Sequence, residues 1–436
     1  MGPHGEGQLG PIDQFAGQAN LHVALALSPR YSPAGGSLPR PLLLLATLTV
    51  ASGACTRPER AETALQVQRD TVGDTVFVRT IAGSLWRGQA RLEEELSIGA
   101  REGADEYMFG EVTAITPDGA GGFYVFDRQV PALRHFDHGG RFIKTLGGEG
   151  EGPGEYKSIV GMALRRDGRL TVFDAENHRI VLYEVDGTPS EHWRINSSLY
   201  VGQALLVDSM DQTYVKILTE WGQPLRWPWP IGLLHIDARG RVVDTMRPPS
   251  IEGEPQAPWG PLSPEKVWAL DPYATVVGVN DRYAFEIRKP NGQVVRVSRQ
   301  YRPLPVSGDE WRAYEARRAW KNKHEEPSEP PPTTPRTKPA YRAFTVAQDG
   351  RIWVRRYMPV SPLEVKPSSD PNAPPPFPFT EQVGFDVFDA DGVYLGEVLV
   401  PPKTDIYWIG TDELYGVRRG DLDEEYVVRL RLRIPR

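Results

Sequence analysis

Short apolar runs alternate with acidic glycine turns along most of this chain. One phrase, a strand ending in a polar turn glycine and followed by another strand, returns five times. The copies are Arg134–Lys144, Val181–His192, Leu234–Asp244, Phe285–Val295 and Asp386–Gly396. The turn glycines Gly140, Gly187, Gly240 and Gly292 are 47, 53 and 52 residues apart, the period of a β-propeller blade. Within each period, β-branched and aromatic runs bounded by Asp-Gly turns signal hairpins. They predict strands at 112–116, 122–127, 133–136 and 141–146 for a first blade, and at 161–165, 170–174, 180–184 and 192–195 for a second. A third blade spans about 204–246 and a fourth about 267–301.

Between Gly292 and Gly392 lie 100 residues, which read as one blade carrying two inserts, Tyr301–Ala340 and Pro359–Thr380. The first insert contains Gly308–Glu325, an expected amphipathic helix with Trp311, Tyr314 and Ala319 on one face and Ser307 as its cap. Pro327–Pro335 and Pro367–Pro378 read as proline-rich loops. The last blade supplies only three strands, at 406–410, 414–418 and 426–432. A closed propeller must cover the edge this leaves, and Arg91–Ile98 is strand-like enough to do so. The expected fold is therefore all-β: a six-bladed propeller over 75–436, closed by an N-terminal strand, with one inserted helix.

Composition sharpens the picture in two places. The 436 residues carry 50 Lys and Arg against 57 Asp and Glu, a net charge of −7 without a long basic run, which argues against nucleic-acid binding. The one cysteine, Cys55, excludes an intrachain disulfide and follows a basic residue, Arg40, a short apolar segment, Leu42–Val50, and the small residues Ala51–Ala54. That is the layout of a secretory signal over 40–54, too short to span a bilayer. In this position Cys55 resembles the acylated first residue of mature bacterial lipoproteins. Cleavage after Ala54 by an ordinary signal peptidase, or a chance apolar segment, would look much the same. Residues 1–39 read as a disordered leader or over-long start, and 55–74 as a polar tether.

Several phrases are more specific. Pro117–Asp127 (PDGAGGFYVFD), Gly147–Tyr156 (GGEGEGPGEY) and Asp167–Ile180 (DGRLTVFDAENHRI) resemble those of bacterial six-bladed propellers related to NHL repeats. Asp174, Asn177, Arg179 and Ile180 match the repeat phrase directly, whereas the first blade carries Arg128-Gln129-Val130-Pro131 in place of its Asn and Arg. The resemblance covers roughly Arg91–Ile434 and implies the fold. It does not imply an activity, because propellers host binding modules, scaffolds and enzymes alike.

Candidate chemistry is sparse. The glycine-rich Gly147–Gly154 lacks the Lys-Ser/Thr of a nucleotide loop and reads as a tight connection between blades. Asp127 and Asp174 close equivalent strands. They either contribute to a central cation site or accept hydrogen bonds from their own turns. His135, His138, His178, His192, His235 and His324 show no paired metal-site spacing, and no GxSxG occurs. No catalytic or metal-binding residue and no cofactor can be assigned. Trp221–Pro230 holds three tryptophans, suited either to recognition of an extended peptide or sugar or to filling a gap between blades.

Alternation of strand direction places the inserts and the long connections on one face of the disc and the tight Asp-Gly and Asn-Gly turns on the other. Trp221, Trp227, Trp229 and Trp311 are the expected anchors on the loop-rich face, with Asp127 and Asp174 as further binding candidates. The expected function is a lipid-anchored or soluble binding or scaffold protein of the periplasm or cell surface. It would be a monomer that meets an envelope protein, peptide or glycan, touches the membrane only through its anchor and binds no nucleic acid. The alternative is a propeller enzyme, a hydrolase or lyase acting on an extracellular small molecule or peptide.

Overall fold

A computed structural model describes residues 64–195, 205–220, 230–255, 261–324, 335–365, 370 and 372–435. Six blades surround a central channel, their strands lettered a to d outward from it. Blade 1 contains Val112–Pro117, Phe123–Asp127, Ala132–Phe136 and Phe142–Leu146, and blade 2 contains Ile159–Leu164, Leu170–Asp174, Arg179–Tyr183 and Pro189–Arg194. Blade 3 (Leu205–Met246) and blade 4 (Lys266–Arg299) follow the same antiparallel order. In blade 5, Ala343–Val346 and Ile352–Arg355 are separated by the second insert from Gly384–Phe388 and Tyr394–Leu399.

Blade 6 closes the ring. Its strands Thr404–Ile409, Glu413–Arg419 and Glu425–Arg433 receive the N-terminal strand β3 (Gln89–Ile98) as their outer partner, with Arg91 opposite Arg433 and Ile98 opposite Val427. The other edge of β3 runs parallel to the outer strand of blade 5 through Gln89, Ala90 and Arg91. Blades 5 and 6 thus share one eight-stranded sheet.

Strand structure begins earlier than Thr75. A hairpin of β1 (Gln66–Val72) and β2 (Thr75–Ala82) lies along blade 4, with β2 parallel to Val294–Arg299. The tether assigned to 55–74 therefore contributes a strand from Gln66 onward. Every residue of β1 is exposed, so its polar composition reads as linker. Backbone pairing with β2, turned at Gly73, is what makes it a strand.

The core is a ring of interfaces between blades. Along the strand Phe123–Asp127, Phe123 and Val125 face blade 6, where they meet Tyr415 and Val417. Tyr124 and Phe126 face blade 2, where they meet Tyr156 and Val172. Similar apolar clusters join the other neighbouring blades. Strands buried on both faces read as continuous apolar runs rather than clean alternations, as the all-buried Leu170–Asp174 illustrates.

The inserted helix α1 (Gly308–His324) opens with a capping box: Ser307 Oγ accepts from the Glu310 amide at 3.1 Å, and Glu310 Oε2 accepts from the Ser307 amide at 3.3 Å. Glu310 and Trp311 are buried and Tyr314 half-buried, but Ala319 is exposed. The buried stripe thus continues from Trp311 and Tyr314 toward Arg317, whose guanidinium lies 4.9 Å from the Phe377 ring.

Candidate functional site

Long connections and inserts leave the blades on the side where a strands begin and b strands end. On that side a buried polar group at the end of a b strand ties down the chain entering its own blade. The Asp127 carboxylate accepts from the amides of Gly110, Glu111 and Gln129, each at 3.0 Å, and faces Arg134 at 3.4 Å. Asp174 accepts from the amides of Lys157 and Ser158 and from Asn177 Nδ2. Arg179, 3.5 Å from that carboxylate, donates to the carbonyls of Glu151, Gly152 and Glu155. The Asp-Asn-Arg phrase thus clamps the glycine-rich loop, in which Gly147 (φ +63°) sits so close to the Gly154 carbonyl that a Cβ would approach it to 2.1 Å. Asn280 does the same in blade 4, accepting from the Glu265 amide at 2.7 Å and donating to the Tyr341 carbonyl. Asp127 and Asp174 are therefore structural clamps, and these contacts occupy the carboxylates offered above as binding candidates.

The two inserts meet over the rim of blades 4 and 5. The Lys338 ammonium is buried against Glu310 at 2.7 Å and donates to the Met358 carbonyl. Tyr314 and Phe377 are 5.0 Å apart, and Trp320 Nε1 donates to the Asn372 carbonyl. A short strand pair in the second insert, Val360–Pro362 with Phe379–Glu381, delivers Glu381 to Arg342 at 2.6 Å. Arg342 also stands over the Tyr357 ring at 4.2 Å. Around this pair the protonation equilibria are displaced. Burial pushes Glu265 up to about 7 against the opposing pull of Arg342. Burial, and then the like charge of Arg342, lower Arg355.

The central channel holds a cavity of about 400 Å³. Its wall is mostly apolar, with Met162, Leu206, Trp268, Phe344 and Ile406, but Lys216, Arg355, Asp271 and Asp405 also line it. Lys216 belongs to the b strand of blade 3, whose described pairing with the a strand Leu205–Val207 runs from Thr213 to Val215. Lys216 lies past that point, and burial lowers its ammonium to about 8. Asp271, at the opposite end of the channel, is raised by burial to about 7. Asp405 is paired with Arg419 at 3.1 Å.

Of the residues singled out in the sequence, Trp221, Trp227, Trp229 and Cys55 lie outside the described residues, as does the signal segment 40–54. Trp311 is 9% exposed. It faces inward as part of the helix's attachment, not outward as an anchor for a partner. Lys216, Arg355, Glu265 and Arg342 were not singled out. Their signal was available, because Lys216 interrupts TYVKIL and Arg355 ends IWVR, charges set into otherwise apolar strands.

A family model for the DUF5128 family, a 6-bladed beta-propeller, matches residues 102–208. The chain is similar in fold to a member of the DUF4221 family from Bacteroides vulgatus, at 14% identity and a TM-score of 0.48, over 80% of this chain and 99% of that one. It is also similar to a virginiamycin B lyase from Staphylococcus aureus, at 10% identity and 0.38, over 79% and 99%. A calcium-binding protein, regucalcin, from Agrobacterium tumefaciens is similar at 11% identity and 0.37, over 80% and 97%. No curated protein matches the chain in sequence.

Proposed function

We propose that this protein is a binding propeller of the cell envelope, exported by the segment before Cys55 and held there by a lipid on that cysteine. It recognises an envelope protein, peptide or glycan at the insert-bearing mouth of its channel. The observation that carries this reading is the convergence of both inserts on one rim, where Arg342, Glu381 and Glu265 cluster with Arg355, a residue that lines the channel cavity. Loops on a rigid scaffold are where recognition concentrates.

The test compares capture from envelope extracts by the full chain, by a variant with 308–336 replaced by a short linker, and by Asp237→Ala on the opposite face. Capture lost only in the first variant supports the reading, and equal capture by all three overturns it. Mass spectrometry of the processed N-terminus tests the anchor: an acylated Cys55 supports it, and an intact leader removes it.

One observation favours the enzyme reading as an alternative. Glu265 near 7 and Lys216 near 8 lie where general acid–base groups operate. A turnover found in the purified protein and abolished in Glu265→Gln would decide for it.

A further inference from the structure

Most arginines near the mouth have a carboxylate of their own. Arg342 pairs with Glu381, Arg356 with Glu397 and Asp386, and Arg419 with Asp405 and Glu425. Arg299 joins the fully buried Asp386 at 2.5 Å. Lys216 and Arg355 are different. Both line the channel cavity, and among the described residues neither side chain carries an ion pair or a hydrogen bond. The contrast matters in a chain with more acidic than basic residues, where unpaired carboxylates are the commoner expectation. The carboxylates that share the wall have other direct partners: Asp405 pairs with Arg419 and acts on Arg355 only at longer range, and Asp271 accepts from the Tyr273 amide at the far end.

Two half-buried cations facing a common space lose part of their hydration, and no described residue replaces it with an ion pair or a hydrogen bond. Such a pair persists at a cost in stability unless a ligand supplies the missing charge. The rest of the wall limits what that ligand is. Met162, Leu206, Trp268, Phe344 and Ile406 offer apolar and aromatic surface, and about 400 Å³ suits a small molecule rather than a folded partner.

We propose that the channel binds a small amphiphilic organic anion, its carboxylate or phosphate held by Lys216 and Arg355 and its apolar body against Trp268 and Phe344. The inference rests on the reading of the channel mouth as the recognition site, and it names a ligand class for that site. The ligand would be either the protein's own small-molecule cargo or the anionic end of a larger partner reaching into the channel.

Calorimetric titration of the full-length protein tests it with three probes of one shape: 3-phenylpropionate, phenyl phosphate and the neutral 3-phenylpropionamide. Saturable binding of either anion with at least about tenfold weaker binding of the amide is the expected result. Lys216→Met and Arg355→Met should each weaken the anion about tenfold or more, while Lys216→Arg and Arg355→Lys should retain much of it. Melting curves recorded alongside separate lost binding from lost folding, and the charge-preserving variants keep the test decisive if a methionine variant does not fold. Equal affinity for anion and amide, binding unchanged in both methionine variants, or no binding of either anion would overturn the proposal. In those cases, capture that still depends on the 308–336 insert would leave the recognition face standing without this ligand. If anions bind as expected but capture does not depend on the insert, the channel site stands and the recognition reading falls.

Discussion

The two faces of the disc solve the same problem in opposite ways. On the turn face hairpins carry acceptors for their own turns, while ties such as Lys289 to Asp391 and the Arg166 amide to Asp211 link neighbouring blades. Asp137, Asp186, Asp237, Asn291, Asp349 and Asp389 each accept from the amide two residues on, at 2.9 to 3.1 Å. In four turns the Asp also receives the Nε of an arginine, as with Asp137 and Arg141, Asp167 and Arg169, Asp237 and Arg241, and Asp349 and Arg351. Amide donors, with those arginines, hold Asp137 and Asp237 below the ordinary carboxylate range. On the insert face, polar groups reach across elements: Asp127 and Asp174 to the chain entering their blades, Lys338 to Glu310, Arg342 to Glu381, while Lys216 and Arg355 have no ion pair or hydrogen bond among the described residues. A polar group satisfied within its own turn is indifferent to a ligand, whereas one satisfied across elements, or not at all, can respond to one.

The largest expected effect removes the condition both faces share. Deleting 64–98 takes away β1, β2 and β3, exposes the edge of blade 6 and uncovers the clusters around Val78 and Leu92. The variant should lose its cooperative melting transition by circular dichroism; a transition like that of the full chain would show that β3 does not close the ring.

Asp174→Ala strikes the insert face at one clamp. It strips the amides of Lys157 and Ser158 of their acceptor and leaves Arg179 without its carboxylate. A loss of about 3–5 kcal/mol in urea-induced unfolding is expected.

Glu310→Ala should act more locally, since it removes the capping box and strands the Lys338 ammonium. Faster hydrogen exchange and earlier proteolytic cleavage within 301–340 are expected, with the rest of the propeller protected as before.

Next comes the pH dependence of anion binding. Lys216 is charged below about 8 and Asp271 becomes charged above about 7, so both changes weaken an anion as pH rises. Arg355 and the Arg419-paired Asp405 also face the space, and Glu265 at the rim adds negative charge through about 7. Affinity for the anionic probe should therefore fall between pH 6 and pH 9, and a flat profile would remove Lys216 from the site. The smallest effect belongs to Asp237→Ala on the turn face, which should melt almost as the parent does and bind the anion unchanged.

Much of the fold could be read from spacing. The glycine period gave the blade count, and the missing outer strand of the last blade pointed to 91–98, within β3 as found. The inserts were visible as excess length. The site was less legible for a physical reason: recognition here depends on which charges lack partners. That property belongs to three-dimensional neighbourhoods rather than to residue type. Asp127 and Asp174 stood out because they recur, yet their recurrence reflects a repeated structural clamp. Lys216 lines the channel although it sits in the second strand of its blade, and no local pattern in TYVKIL reports what lies beside it in space. Trp311 misled in the opposite direction, since aromatic character suggested an exposed anchor where the helix needed a buried foot.

The path of the N-terminal segment also sets an order of assembly. Glu93 sits 2.8 Å from Arg433, a residue 340 positions later in the chain. β3, synthesised early, must therefore wait for nearly the last residues of the chain. Blades 1 to 3 can form from local hairpins as they emerge, but blades 4, 5 and 6 each acquire an outer neighbour only when β2 and β3 arrive. Contacts of such long range pay a large loop-closure entropy and form slowly. Until they form, Trp86, Leu92 and the edge of blade 6 stay uncovered, so the vulnerable stage of this protein's life falls at the end of its synthesis.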